Sequence, residues 1–347
     1  MKKIFFALIR LLTFNYFFER GQKNKLLILM FHRVNDANHM FYRGMSTKAF
    51  KDLCVFVKAH YSVINPSQIE AHFKKTKRPA AIISFDDGHY DIIENAFPIL
   101  NELNLPFNVN IDTEILETRK PQDFVRIYDI LNNSSIEEYK NLDFMDDCVK
   151  IDRNNPSKTE NQFTEILSGL SLKQRRLFTE QFAKYAQMDE TKYSKMLSIE
   201  DLKFLITHNV EIGSHSHSHA ILTRIDPDEI QFELEHSKGI LENVTNNDIR
   251  VLAYPNGVYN DEVISIAKNV GYTILLQTDD EINDIKSSSI PVYSYKRINQ
   301  YHQTASEALA HTYGKTKYFK SIKNKLKVLN LNSLIIVLNT LLKQMFL

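Results

Sequence analysis

Three histidines in five positions, His215, His217 and His219, form the densest chemical signal in the chain. They follow an apolar run, Val210–Ile212, through Gly213 and Ser214. His215 and His219 stand four residues apart, a spacing that lets two imidazoles meet one ion. A surface metal-scavenging tract would also be His-rich, but would not follow directly on an apolar strand. His217 reads as a supporting or packing residue rather than a ligand. A second signal, Asp86-Asp87-Gly88, follows the run Ala81–Phe85. Adjacent carboxylates at a strand end point in different directions, so one can bind a cation while the other takes a proton. Gly88 permits the tight backbone there, although Asp-Asp-Gly alone is also simply a turn. The third, Tyr254-Pro255-Asn256-Gly257, follows Val251–Ala253. It reads as a turn whose Asn256 backbone N–H could serve as an oxyanion donor. One carboxylate and two imidazoles around a cation leave positions for water and substrate, as hydrolytic metal sites require.

These groups need a scaffold that brings strand ends together. Leu26–Phe31, Ala81–Phe85, Phe107–Ile111, Val210–Ile212, Val251–Ala253 and Thr273–Leu276 have the length and apolarity of buried parallel strands. Helical patterns lie between them at Thr47–Lys58, Asp91–Leu103, Ser198–His208, Pro227–Val244 and Asp261–Asn269. Ser198 with Asp201 makes a capping-type start, and Pro227 suits a first turn. Strands alternating with helices imply a parallel sheet or (β/α) barrel, and α/β folds gather function at the C-terminal ends of their strands. Residues 113–196 break the rhythm. Phe163, Ile166, Leu167, Leu177, Phe178 and Phe182 carry helical periodicity with no clear strand, which predicts a helical insertion. The barrel is therefore expected from 25–112 and 197–302.

Composition narrows the partners. With 347 residues, 43% hydrophobic and 24% charged, the chain has ample core material and is not disordered. Lys+Arg is 43 against Asp+Glu 42, so no global field exists to hold nucleic acid. The two cysteines, Cys54 and Cys148, cannot build a disulfide framework or a Cys-rich zinc site. Residues 1–24 read as an amphipathic or anchor-like helix, because Ile4–Phe18 is apolar but interrupted by Arg10 and Asn15. It is too short to match a spanning helix of about 20 residues, and no small-residue cleavage site follows. Residues 303–347 read as a basic amphipathic helix: lysines cluster between Lys315 and Lys327, followed by Leu331, Leu334, Ile335, Leu338, Leu341 and Leu342. That pattern suits peripheral contact with an anionic membrane surface, or equally a terminal helix packed on the barrel. A membrane-associated location is the expectation, with the face of the membrane open.

Ser84-Phe85-Asp86-Asp87-Gly88, Ser214-His215-Ser216-His217-Ser218-His219 and Ala253-Tyr254-Pro255-Asn256-Gly257, in that order on strand ends, resemble the motifs of the polysaccharide deacetylase family, carbohydrate esterase family 4. The resemblance covers roughly residues 25–112 and 197–300. It implies a distorted, incomplete (β/α)7 barrel and a metal-dependent hydrolase that removes acetyl groups from N-acetylated, less readily O-acetylated, sugars of a polysaccharide or glycan precursor. It also implies Asp86 as general base, Asp87, His215 and His219 as metal ligands, and the Asn256 N–H as oxyanion donor. The implied cofactor is a divalent cation, zinc first, with cobalt, nickel or iron also suited to such ligands. Two departures stand out. Ala253 occupies the place where many members carry an Arg that tethers the base, and Leu275-Leu276-Gln277 lacks the late His of the general acid. Leu29-Met30-Phe31-His32-Arg33-Val34 looks like the first strand of the poly-N-acetylglucosamine deacetylase subgroup, which makes His32 the implied acid. Arg297, in Tyr295-Lys296-Arg297-Ile298, resembles a late Arg of the same subgroup and is the implied partner of Asp86. The departures also leave room for a non-catalytic carbohydrate-binding barrel with a degenerate site. An amidohydrolase on a non-sugar amide would use the same residues.

Overall fold

The apolar runs do become strands, and their burial follows from being covered on both faces. The computed structural model describes residues 22–140, 142, 144, 148–285 and 294–314. Its strands are β1 (Lys25–Phe31), β2 (Ser62–Val63), β3 (Ala80–Phe85), β4 (Asn108–Ile111), β5 (Glu138–Tyr139), β6 (Val149–Lys150), β7 (Glu211–Ser214), β8 (Val251–Ala253), β9 (Ile274–Gln277), β10 (Asn283–Asp284), β11 (Ser294–Lys296) and β12 (Ile298–Asn299). Its α-helices are α1 (Thr47–His60), α2 (Ile69–Lys75), α3 (Phe97–Glu102), α4 (Glu114–Thr118), α5 (Asp123–Asn133), α6 (Pro156–Gly169), α7 (Leu172–Tyr185), α8 (Ile199–Thr207), α9 (Pro227–Thr245), α10 (Asp261–Val270) and α11 (Ala305–Gly314).

The main sheet runs β10-β1-β3-β4-β7-β8-β9-β11, with β2 on β3 and β12 on β1. Its pairings are parallel except for β10 on β1. β11 lies on β9 at one side of the order, and β12 lies on β1 near the other. The sheet thus curls into a nearly closed barrel, the expected fold class, and Arg297 is the single residue between the two closing strands. β11 and β12 escape a reading by periodicity because three and two residues carry no period.

Strand parity then sorts the side chains. Leu26, Ile28, Ala80, Ile82, Val251, Ala253 and Leu276 form the cluster inside the barrel. Their neighbours Leu27, Leu29, Ala81, Ile83, Leu252 and Leu275 pack outward with Phe50 and Leu53 of α1, Leu202 of α8, Leu234 of α9 and Val263 of α10. Carried past the strand ends, the same alternation turns Ser84 and Asp86, Asn108, Asn110 and Asp112, and Gly213 and His215 toward the interior. Six of these seven are polar or charged and buried.

The capping reading at Ser198 matches the structure: its hydroxyl accepts from the Asp201 amide at 3.0 Å while Asp201 accepts from the Ser198 amide at 2.8 Å. The single helix expected over Asp91–Leu103 is instead a π turn, Ile92–Ala96, followed by α3. Pro98 has no N–H to continue the α ladder at that point. The segment 113–196 is largely helical, with its own core of Ile127, Ile130, Leu131, Phe163, Phe178 and Phe182. It is not free of strand, however. β5 and β6 pair antiparallel, Tyr139 opposite Val149, and Tyr139 is buried against Phe178 and Phe182. Phe41, from the loop after β1, joins this core and ties it to the barrel. Within 303–347, α11 belongs to the fold: Ala308, Leu309 and Tyr313 are buried, and the Tyr313 and Tyr61 hydroxyls lie 2.6 Å apart. Residues 315–347, and 1–21 of the anchor-like segment, lie outside the described residues. Among the described residues no helix is long and apolar enough to cross a membrane.

Candidate metal centre and active site

Asp86 and Asp87 leave the end of β3 in opposite directions because the backbone changes hand between them. Asp87 and Gly88 both lie in the left-handed region, at φ 70° and 73°. For Asp87 this costs conformational energy of order 1 kcal/mol or more, a cost that persists where surrounding contacts hold the residue. A Cβ at position 88 would come within 2.6 Å of Ile115 Cδ1 and displace that methyl, and the left-handed φ would strain any residue but glycine there.

Asp86 continues the interior parity of β3. Arg297 Nη1 donates to its Oδ1 at 2.8 Å, and Asn110 Nδ2 donates to the same atom at 2.7 Å. Asn110 also donates to Ser84 Oγ and accepts from Asn108 Nδ2, so Asp86 rests on a buried polar network. Burial opposes the ionised carboxylate, but Arg297, and after it His215, outweigh that cost and hold its pKa below the ordinary range. Arg297 is itself fully buried. Its Nε donates to the Gln277 carbonyl at 3.2 Å, which keeps the guanidinium pointing across the seam. Arg297 thus reaches Asp86 from the seam between β11 and β12.

Asp87 turns the other way. Its Oδ1 lies 3.4 Å from His215 Nε2 and 3.5 Å from His219 Nε2. Its Oδ2 accepts from the Tyr42 hydroxyl at 2.7 Å. His215 Nδ1 sits 2.8 Å from the Ala253 carbonyl, which can only accept, so that nitrogen is the protonated one and Nε2 faces Asp87. The two histidines meet through a loop rather than a helix turn, since Ser216 and His219 take positive φ. Phe124 packs on the His219 ring, centroids 4.8 Å apart.

These donors fit a divalent cation. Asp87 Oδ1 is buried with no hydrogen-bond partner, while two imidazole nitrogens point at it. The charges tell the same story. Burial would lower the His215 pKa, yet Asp86 and then Asp87 raise it to about 9, a sign that the cluster needs positive charge. Burial likewise opposes an ionised Asp87, but His32, His215 and His219 together hold it well below its usual range.

His32 lies just past β1, its ring 6.2 Å from that of Tyr42, and so sits beside the Asp87 cluster. Asn256 sits in the turn after β8 with φ 55°, exposed, and among the described residues no side-chain bond joins it to the cluster. His217 turns away: its Nδ1 lies 2.9 Å from Thr113 Oγ1.

Several supporting residues carry no motif and were not read from the sequence. Tyr42 stacks on Tyr128 and meets Phe124 edge-on, so the inserted segment positions the hydroxyl that holds Asp87. Gln122 donates to the Asp87 carbonyl at 2.8 Å and to Asp112 at 2.7 Å. Burial, and then Asp87, push the Asp112 pKa well above its ordinary value. Arg175 of α7 reaches the His219 carbonyl at 3.4 Å. Glu233 of α9 accepts from the His217 and Ser218 amides at 2.9 and 2.8 Å and clamps the loop that carries His215 and His219. Interior parity could have singled out Asp112. Tyr42, Gln122 and Glu233 depend on contacts between distant segments.

Comparison with known proteins agrees with this geometry. A family model described as polysaccharide deacetylase matches residues 156–275, which include His215 and His219. Bacillus subtilis (strain 168) YxkH, whose name places it among the polysaccharide deacetylases, is 20% identical over 259 residues. That alignment covers 74% of this chain, and the chain spans 65% of the relative's length. Among solved structures, the Streptococcus pyogenes deacetylase PplD in complex with acetate superposes with a TM-score of 0.56 at 17% identity, over 84% of this chain and 99% of that one. BC0361, a polysaccharide deacetylase from Bacillus cereus, gives 0.53 at 17%, over 84% and 69%. IcaB from Ammonifex degensii gives 0.52 at 13%, over 80% and 93%. At such identities the superpositions establish the barrel. Over residues 156–275 the chain matches the polysaccharide deacetylase family, and the residues at its strand ends are in keeping with that match.

Proposed function

We propose that this chain is a metal-dependent deacetylase that removes acetyl groups from N-acetylated sugars of a polysaccharide or glycan precursor. The observation that carries this reading is the pairing of a buried Asp87 Oδ1 that accepts no hydrogen bond and lies between two imidazole nitrogens with an adjacent Asp86 held ionised by Arg297.

Asp87, His215 and His219 would hold the cation. When bound, a divalent ion supplies Lewis acidity toward the acetyl carbonyl and lowers the pKa of water at the site. Asp86 takes the proton of the attacking water, and its position against Arg297 and Asn110 leaves only a defined carboxylate edge for that transfer. The Asn256 N–H donates to the oxyanion as the carbonyl carbon becomes tetrahedral. His32 protonates the sugar amine as the C–N bond breaks, so that acetate and a free amine leave. The likeness of Leu29–Val34 to the poly-N-acetylglucosamine deacetylase subgroup supports an N-acetyl substrate, and zinc suits the one-carboxylate, two-imidazole set.

The test is acetate release from a panel of N-acetylated and O-acetylated glycans and a non-sugar acetamide. Preference for the N-acetylated glycans is expected. Release from the acetamide alone would instead favour an amidohydrolase. We also propose that the basic segment beyond α11 gives peripheral contact with anionic membranes. Flotation with anionic liposomes at low salt should be lost in a chain truncated after residue 314, and unchanged flotation would overturn that contact.

A further inference from the structure

His217 stands between two candidate metal ligands yet faces the opposite way, and two other donors meet it there. Its Nδ1 is engaged by Thr113 Oγ1 at 2.9 Å, so Nε2 is the nitrogen left to lead outward. His236 of α9 approaches edge to face, ring centroids 4.6 Å apart and planes at 81°. Phe232, one helical turn earlier, stacks on His236 at 4.9 Å and 15°, which restricts that ring. Glu117, exposed at the end of α4, completes the group. One donor atom from each of Glu117, His217 and His236 lies within 4.8 Å of the others.

The backbones behind the three donors are fixed to one another. Glu233, three residues before His236 on α9, accepts from the His217 and Ser218 amides and from the Ser218 hydroxyl. On the other side, the Glu114 amide at the start of α4 donates to the His217 carbonyl at 2.9 Å. Helix α4, the loop and helix α9 therefore present their donors from a frame already assembled. Two imidazoles and one carboxylate are a donor set that zinc accepts, at about 2.0–2.2 Å from each ligand. Donor atoms within 4.8 Å of one another must draw closer around such an ion, and Glu117, being exposed, can move toward the rings through solvent.

We propose that Glu117, His217 and His236 form a second, solvent-facing divalent metal site, separate from the Asp87 centre but built on the same loop. Its exposed rim leaves coordination positions to water or an external ligand. An ion there bridges α4 to α9 across the loop that carries His215 and His219, and so stiffens the support of the inner site.

The experiment is equilibrium dialysis of the chelator-stripped full chain against zinc chloride, with metal content measured per chain. Wild type should take up two equivalents. His236→Ala and Glu117→Gln should each keep one and weaken the other at least tenfold, and His215→Ala should keep the outer equivalent. His236→Asn, closer in size to histidine, should behave like His236→Ala, with thermal unfolding of the metal-free chain matching wild type. A single equivalent in wild type, or a second equivalent whose affinity is unchanged in both His236 variants, overturns the outer site. Loss of the outer equivalent alone leaves the Asp87 centre standing, because His215→Ala reads the two sites apart.

Discussion

Arg297 and Asp86 are separated by 211 positions in sequence and by 2.8 Å in space. The arginine is the one residue between the strands that close the barrel, so the closure itself delivers its guanidinium to the carboxylate at the end of β3. Both groups are buried, at 0% and 1% exposure. Removing one member of such a pair leaves the other charge uncompensated and costs about 3–5 kcal/mol. Arg297→Met should therefore lower unfolding stability by that order and lower turnover, with Arg297→Lys intermediate in both. Denaturant unfolding and acetate release on the same preparations check this. Stability unchanged in Arg297→Met would mean that the pair does not hold the seam.

Tyr42→Phe isolates a single hydroxyl. Its ring contacts with Tyr128 and Phe124 remain, so the fold should be retained, but Asp87 Oδ2 loses the donor at 2.7 Å. Partners that orient a metal ligand are commonly worth about 10–100-fold in affinity. Competition with a chromophoric chelator should show a loss of that size at the inner site, with far-UV circular dichroism unchanged. Equal affinity in Tyr42→Phe and wild type would remove the hydroxyl from the metal's support.

Gly213→Ala probes the network beneath Asp86. A Cβ there would lie 2.3 Å from Asn110 Oδ1 and 2.9 Å from Val251 Cβ, both in the barrel interior. Asn110 must move, and with it one of the two donors to Asp86. The expected cost is about 1–3 kcal/mol of stability, as for other overpacked cores, together with a drop in turnover and no loss of bound metal. Metal analysis beside kinetics separates this from damage to the cation-holding residues, since metal loss in Gly213→Ala would place the harm at Asp87 or His215 instead.

The sequence exposed those parts of the site that sit in short contiguous motifs. Asp86-Asp87 and His215-x-x-x-His219 are legible because strand ends place whole motifs together, and Arg297 was reached through a family resemblance rather than a pattern of its own. Strand positions were legible because six short runs are mainly apolar, although Asn108, Asn110 and Glu211 interrupt two of them. Tyr42, Gln122, Asp112 and Glu233 were not, since each acts through contacts between segments far apart in the chain. The closing strands β11 and β12 and the hairpin β5–β6 were missed for a different reason: two or three residues hold no periodicity, and tertiary pairing alone makes them strands. His217 was legible only as not belonging with its neighbours, and its partners Glu117 and His236 emerge once α4 and α9 are in place.

The function rests most directly on acetate release by the chelator-stripped chain titrated with one divalent metal, using N-acetylated oligosaccharides as substrate. No release is expected without metal. Release should appear on addition, rise in step with occupancy of Asp87, His215 and His219, and be absent at every metal concentration in Asp86→Asn although that variant binds the ion. Full release from the stripped chain, or none from any N-acetylated glycan once the metal is bound, contradicts a metal-dependent deacetylase.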